Sequence, residues 1–116
     1  MDRSIQFYQE FFNMRLVRRR DIQKNNAEIA FLDDGEDSSF SLELTRYHDQ
    51  RNFAQAVYDD RLFDHLAFVV RDLRSDVGRI KKAGYTVTDE PFELSPGKWL
   101  AFVEDPDGTL IELIQE

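Results

Sequence analysis

Residues 101–116 read AFVEDPDGTLIELIQE, which predicts two apolar strands joined by a turn. The turn D-P-D-G has proline and glycine where a type I turn favours them, and Asp105 and Asp107 suit it because aspartate side chains bond nearby backbone N–H groups. Glu112 lies inside the second strand, where both faces are apolar. Burying an unpaired carboxylate is costly, so Glu112 is expected to have a partner.

The same pattern occurs earlier in the chain. Three short segments recur at a nearly constant offset: R-S at 3–4 and 74–75, A-F-L-D-D at 30–34 with A-F-V-E-D at 101–105, and F-S-L-E-L at 40–44 with T-L-I-E-L at 109–113. Glu43 is therefore the counterpart of Glu112. The repeat predicts two copies of one structural unit, and duplicated units commonly build a site between them.

Each unit is predicted to have the order βαβββ. In the second unit, F-D-H-L-A-F-V-V at 63–70 is the first strand, and a helix at 73–84 ends at Gly84. In the first unit Ser4 is expected to cap the helix, and the counterpart of the 63–70 strand would precede Met1. The other predicted strands are at 15–20, 27–32, 40–47, 85–88, 99–103 and 109–114.

The predicted fold class is therefore α+β, with paired βαβββ modules and the first strand missing. We expect a single domain made of module one at 1–47, a connection at 48–61 and module two at 62–116. A chain of 116 residues has the size of one domain and buries enough surface for a core.

Composition excludes several classes of function. The formal net charge of −8 argues against a nucleic-acid partner, and the basic run at 18–20 is interpreted as a solvated edge strand. The chain has no cysteine, which excludes disulfides, thiolate nucleophiles and cysteine-ligated zinc. It has no apolar stretch long enough to cross a membrane and no signal-peptide pattern, so we expect a cytoplasmic protein without a membrane partner.

His65 is the third residue that does not suit an ordinary core. It shares a predicted strand face with Ala67 and Val69, and two interpretations are open: a core histidine with satisfied hydrogen bonds, or a ligand. The two glutamates on related strands favour the second interpretation. Carboxylates and an imidazole suit a borderline divalent cation such as zinc or nickel. Glu43, His65 and Glu112 are therefore predicted to hold a metal ion.

Four segments carry a family resemblance: D-R-S-I-Q-F-Y-Q-E-F-F-N-M-R-L-V at 2–17, L-E-L-T at 42–45, D-H-L-A-F-V-V-R-D-L at 64–73 and AFVEDPDGTLIELIQE at 101–116. Together they resemble glyoxalase I (lactoylglutathione lyase) and, more broadly, the vicinal oxygen chelate superfamily. The resemblance spans nearly the whole chain, and only residues 46–61 are loosely placed.

The resemblance implies a homodimer whose sheets curl around metal pockets formed between subunits. It implies four ligands: a His or Gln on the first strand, then Glu43, His65 and Glu112. The implied substrate is the hemithioacetal of methylglyoxal and glutathione, isomerised to S-lactoylglutathione through an ene-diolate by a nickel or zinc enzyme. Such an enzyme detoxifies methylglyoxal. By the same resemblance Glu112 is the catalytic base.

Two further residues are predicted to bind the substrate. Arg61 matches an arginine that clamps a glutathione carboxylate in some family members, although a loop salt bridge explains it equally well. Lys98 lies in the loop G-K-W-L, where it is expected either to meet an anionic substrate or to be solvated. The sequence departs from the glyoxalase pattern at Tyr47, where those enzymes have asparagine, which puts the substrate in doubt.

Two other functions are open. One is another metal-dependent enzyme of the superfamily, an epimerase or a dioxygenase. The other is a non-catalytic module that binds a small molecule such as a drug. Such modules lack metal ligands, so the presence of all three predicted ligands favours the enzyme.

Overall fold

The computed structural model describes residues 1–35, 40–49 and 64–116. These residues form two compact units, one on each side of the gap at 50–63. Each unit combines one α-helix with one β-sheet, which confirms the predicted α+β class. No helix among the described residues is long and apolar enough to cross a membrane.

Unit one contains one α-helix, one short 3-10 helix and three strands. In chain order they are α1 (Asp2–Phe12), β1 (Arg15–Ile22), the 3-10 helix (Gln23–Asn25), β2 (Ala27–Asp33) and β3 (Leu42–Tyr47). The sheet has the order β1-β2-β3, and both pairings are antiparallel. Along its length α1 buries an apolar stripe of Ile5, Phe7, Tyr8 and Phe11.

The predicted cap of α1 is wrong. Met1 is the N-cap residue, and Ser4 lies inside the helix, where it is buried. The helix ends at Phe12, its C-cap residue Asn13 has a φ of 53°, and the following residue, Met14, donates its backbone N–H to the carbonyl of Tyr8 at 3.2 Å. Asparagine tolerates this left-handed conformation better than most residues do.

Unit two contains one helix and four strands. They are β4 (Leu66–Val69), α2 (Leu73–Lys82), β5 (Val87–Ser95), β6 (Lys98–Glu104) and β7 (Leu110–Gln115). The sheet order is β4-β7-β6-β5, in which β4 pairs with β7 in parallel and the other pairs are antiparallel. A parallel pair needs a crossover connection, and α2 begins the connection that carries the chain away from β4.

One face of this sheet is buried against α2. On α2 the buried side chains are Leu73, Val77 and Ile80, and on the sheet they are Ala101, Val103, Ile111 and Leu113. The opposite face, which we call the Glu112 face, carries Ala67 and Val69 of β4, Leu100 and Phe102 of β6, and Leu110, Glu112 and Ile114 of β7. Because side chains alternate along β7, Glu112 lies on the face of the sheet that points away from α2.

Most element boundaries differ from the prediction by one or two residues, and three elements of unit two bear on the site. The strand predicted at 85–88 is β5, which begins at Val87 and continues to Ser95; Pro91 is tolerated because β5 is an edge strand. Phe63 of the strand predicted at 63–70 lies outside the described residues, and β4 covers Leu66–Val69, so His65 lies immediately before it. The helix predicted at 73–84 ends at Lys82, and Gly84, with a φ of 89°, follows its last turn.

Candidate functional site

Glu112 lies in the middle of the unit-two sheet. It is opposite Ala67 on β4 and Phe102 on β6, and its side chain is 17% exposed. The residues before and after it, Ile111 and Leu113, are fully buried on the helix face. The carboxylate is therefore largely shielded from solvent by a central strand position, which agrees with the expectation that it needs a partner.

That partner is His65. Its Nε2 lies 3.2 Å from Oε2 of Glu112, although the two residues are 47 positions apart in the chain. The parallel pairing of β4 with β7 brings them together, since it places Ala67 opposite Glu112 and His65 two residues before Ala67. The imidazole and the Phe102 ring also pack in a T-shaped arrangement, at 5.7 Å between centroids and an interplanar angle of 90°.

The second ring nitrogen of His65 contacts a second carboxylate. Nδ1 lies 2.6 Å from Oδ1 of Asp64, the preceding residue. Both contacts are hydrogen bonds when both ring nitrogens carry protons, since an ionised carboxylate only accepts. The hydrogen bond to Asp64, together with the nearby charge of Glu112, raises the pKa of His65 above its ordinary value, against a smaller opposing effect of burial.

The His65–Glu112 geometry fits a shared metal ion. Two ligands held about 2.0–2.2 Å from one zinc ion, between a right angle and the tetrahedral angle, lie about 2.8–3.6 Å apart. The separation of Nε2 and Oε2 is 3.2 Å. An imidazole nitrogen and a carboxylate oxygen are also the donors that zinc and nickel accept. A cation between these two atoms would not require either side chain to move far.

Glu43, the third predicted ligand, belongs to unit one. It lies on β3 opposite Phe31, is exposed, and accepts a hydrogen bond from Oγ1 of Thr45 at 3.2 Å. Among residues 1–35, 40–49 and 64–116, no cluster of three or more His, Asp or Glu side chains has the arrangement of a metal site. The structure thus brings two of the three predicted ligands, His65 and Glu112, into contact.

Sequence reasoning missed a cation–π contact in the cross-strand row that contains Glu43. Arg18, interpreted as part of a solvated basic run, lies opposite Phe31, so Arg18, Phe31 and Glu43 form one row across the three strands. The guanidinium carbon of Arg18 is 4.8 Å from the centroid of the Phe31 ring, a cation–π contact. The alternating pattern of β2, which puts Phe31 on the Glu43 face, was the signal available in the sequence.

The two predicted substrate-binding residues have different outcomes. Arg61 lies outside the described residues. Lys98 begins β6 on the Glu112 face, four positions from Phe102, which is about 13 Å along a strand. Its amine lies 3.4 Å from Oε1 of Glu116. Trp99 points to the helix face, where Arg74 lies over its ring, so it contributes to packing in that layer.

The D-P-D-G segment has the structural role that was predicted. Oδ1 of Asp105 accepts backbone N–H groups from Asp107, at 2.9 Å, and Thr109, at 2.8 Å. Asp105 is buried at 7% exposure, while Asp107 is exposed. The Asp105 side chain therefore stabilises the turn that leads into β7, and so helps to place Glu112.

A comparison with protein families identifies the chain. Residues 1–113 match the family described as the Glyoxalase/Bleomycin resistance protein/Dioxygenase superfamily. The chain belongs to this superfamily. The match includes both units and the His65 and Glu112 positions, and it confirms the family resemblance drawn from the four sequence segments.

Relatives in the superfamily come from plants and bacteria. A lactoylglutathione lyase of Arabidopsis thaliana is 41% identical over 99% of this chain and 40% of its own length. A probable lactoylglutathione lyase of a Synechocystis strain is 37% identical, over 99% of this chain and 86% of its own length. The chain therefore spans less than half of the plant relative and most of the cyanobacterial one.

The fold also matches solved structures of the superfamily. The crystal structure of glyoxalase I from Zea mays aligns with a TM-score of 0.83 and 35% sequence identity. That alignment covers 99% of this chain and 40% of the maize chain. The fold of this chain thus matches that of a glyoxalase I structure.

Proposed function

We propose that this chain is a glyoxalase I-like, metal-dependent lyase. It would isomerise the hemithioacetal of methylglyoxal and glutathione to S-lactoylglutathione. The contact between His65 Nε2 and Glu112 Oε2, made by a shielded carboxylate, carries the proposal. The names of the relatives support the same reaction, since the plant and bacterial proteins described above are lactoylglutathione lyases or probable ones.

In this proposal Glu112 transfers the proton, and His65 orients the Glu112 side chain. The reaction transfers the carbon-bound proton of the hemithioacetal to the neighbouring carbon, and the hydroxyl proton moves between the two oxygens, so no redox partner is needed. A carboxylate oxygen of Glu112 takes the carbon-bound proton and returns it one carbon away. The apolar neighbours of Glu112, such as Leu110 and Ile114, would exclude water while the proton is held.

His65, Glu112 and Glu43 are the proposed metal ligands. Glu43 is included because of the sequence repeat and the family resemblance. A bound divalent cation supplies Lewis-acid stabilisation of the oxygens of the ene-diolate. His65 and Glu112 would hold that cation against the Glu112 face, where the donor types suit nickel or zinc.

The remaining features of the proposal follow the family resemblance. The protein would act in the cytoplasm as a homodimer, with glutathione as co-substrate. Arg61 is proposed to bind a substrate carboxylate. Lys98 is proposed to do so only after it leaves Glu116, with which it now forms an ion pair.

The test is metal-dependent formation of S-lactoylglutathione, measured with nickel or zinc and with the apoprotein. Substituting Glu112→Gln keeps the size of the side chain but removes the base, so kcat should fall by about 10²-fold or more. Glu90→Gln is a matched control, because Glu90 lies on β5 and pairs with Lys81. Unchanged kcat in Glu112→Gln would refute the assigned base. A folded protein that binds no metal and gives no product would favour the non-catalytic binding module.

A further inference from the structure

We propose that Asp64 is a positioning residue that holds His65 with its proton on Nδ1, so that Nε2 is presented to the cation beside Glu112. The inference rests on the proposed function in one respect, because it takes a cation to bind beside Glu112. Asp64 would touch neither the metal nor the substrate. Its role would be to select which ring nitrogen of His65 becomes the ligand.

Two carboxylates compete for the imidazole. Asp64 lies 2.6 Å from Nδ1, whereas Glu112 lies 3.2 Å from Nε2. A neutral imidazole has one proton, both acceptors are carboxylates, and the shorter of the two hydrogen bonds is the stronger one. The proton therefore remains on Nδ1, with Asp64 as its acceptor, when the ring becomes neutral.

This tautomer gives the Glu112 face a cation-binding pair. With Nδ1 protonated, Nε2 and Oε2 of Glu112 are two acceptors 3.2 Å apart, and no proton lies between them. Two facing lone pairs repel, and a cation at their convergence relieves the repulsion. In the other tautomer Nε2–H donates to Glu112, and a cation must displace that proton before it binds.

The packing of His65 supports a fixed ring. One nitrogen is bonded to the neighbouring residue, the other faces Glu112 of β7, and the ring packs perpendicular to Phe102 of β6. Histidines that bind metals commonly donate the second ring N–H to a carboxylate, and loss of that partner costs about 10–100-fold in affinity. The Asp64 side chain is 76% exposed, so we expect an effect near the lower end of that range.

The experiment compares three variants with the wild-type protein. Asp64→Ala removes the acceptor, and Asp64→Asn keeps a carbonyl oxygen that accepts the same N–H. Asp76→Ala is the charge control, because Asp76 lies on α2 in the same unit and pairs with Arg79 at 3.3 Å. The tautomer of His65 is read from long-range ¹H–¹⁵N NMR of the metal-free, neutral imidazole. Zinc affinity is measured separately by calorimetric titration.

We expect the Nδ1–H tautomer in the wild type, Asp64→Asn and Asp76→Ala, and a shift to Nε2–H in Asp64→Ala. Zinc dissociation constants should rise about 10-fold in Asp64→Ala and much less in the other variants. An unchanged tautomer in Asp64→Ala, or zinc affinity equal to that of Asp76→Ala, would overturn the inference. If the wild type binds no zinc, the proposed function fails, and the NMR comparison alone decides whether Asp64 positions the ring.

Discussion

At the scale of single residues, two acidic side chains of one hairpin have opposite roles. Asp105 is satisfied locally, by N–H groups two and four residues further on. Glu112 has no such local acceptor role and is instead paired with a residue 47 positions away. A carboxylate in a turn has backbone donors within reach, whereas one in the middle of a strand does not, because the strand's N–H groups are used in the sheet.

The role of Asp105 predicts a loss of stability when its carboxyl oxygen is removed. Asp105→Ala leaves two backbone N–H groups without this acceptor at a buried position. The free energy of unfolding, measured by urea denaturation, should therefore fall by about 1–3 kcal/mol. Asp105→Asn retains an acceptor oxygen and should lose clearly less. Equal stability of the alanine and asparagine variants would contradict the assigned hydrogen bonds.

At the scale of elements, an ion pair links α1 to the unit-one sheet. Asp2, in the first turn of α1, pairs with Arg19 of β1 at 2.6 Å. Arg19 also contacts Glu28 of β2 at 2.5 Å, and Arg46 of β3 approaches the same carboxylate at 3.2 Å. The buried Glu28 explains why the basic run of β1 is more than a solvated edge, since one of its arginines balances a carboxylate on the neighbouring strand.

The Asp2–Arg19 pair predicts a pH-dependent contribution to stability. The hydrogen bond from Arg19 lowers the pKa of Asp2 in the folded protein. The stabilisation is therefore fully present above the unfolded value of about 3.9, and it is lost as the pH falls through the lowered folded pKa. In thermal melts at neutral pH, the Tm of the wild type should be higher than that of Asp2→Asn. This difference in Tm should disappear in acid.

Salt provides the control for this prediction. Both side chains are accessible to solvent, so the difference in Tm between the wild type and Asp2→Asn should shrink as ionic strength rises. A difference that is independent of salt, or one that grows on acidification, would contradict the ion pair as its source.

At the scale of the whole molecule, the repeat places Glu43 and Glu112 at equivalent strand positions, but the environments of the two side chains differ. In chain order, Glu43 and Glu112 lie on the last strand of their respective units, as the repeat predicts. Glu112 lies on β7, a central strand with neighbours on both sides, while β3 is an edge strand among the described residues. That difference explains why Glu43 is exposed and the Glu112 side chain is only 17% exposed.

The proposed role of Glu43 as a metal ligand predicts the effect of Glu43→Gln on metal binding. If Glu43 is a ligand together with His65 and Glu112, zinc affinity should fall by at least about 10-fold. Stability of the metal-free protein should change little, because Glu43 is exposed and its recorded contact is with Thr45. Glu10→Gln, on the exposed side of α1, is the control. Unchanged zinc affinity would remove Glu43 from the ligand set.

Much of the fold could be predicted from local patterns. Apolar alternation predicts β2, β6 and β7, helical spacing predicts α1 and α2, and the turn chemistry of D-P-D-G predicts the last hairpin. The boundaries of β4 and β5 were less predictable. Strand ends depend on pairing with β7 and β6, and a short apolar run such as 63–70 does not indicate where that pairing begins.

The sequence by itself determined the repeated strand pattern, the turn role of Asp105 and the unusual placement of a carboxylate at Glu112, because each depends on neighbours within a few residues. Only the tertiary structure decided that His65 is the partner of Glu112. Their contact requires parallel pairing of β4 with β7 across a long crossover, with Ala67 opposite Glu112. That register is set by burial of the whole sheet against α2, and spacing along the chain does not contain it.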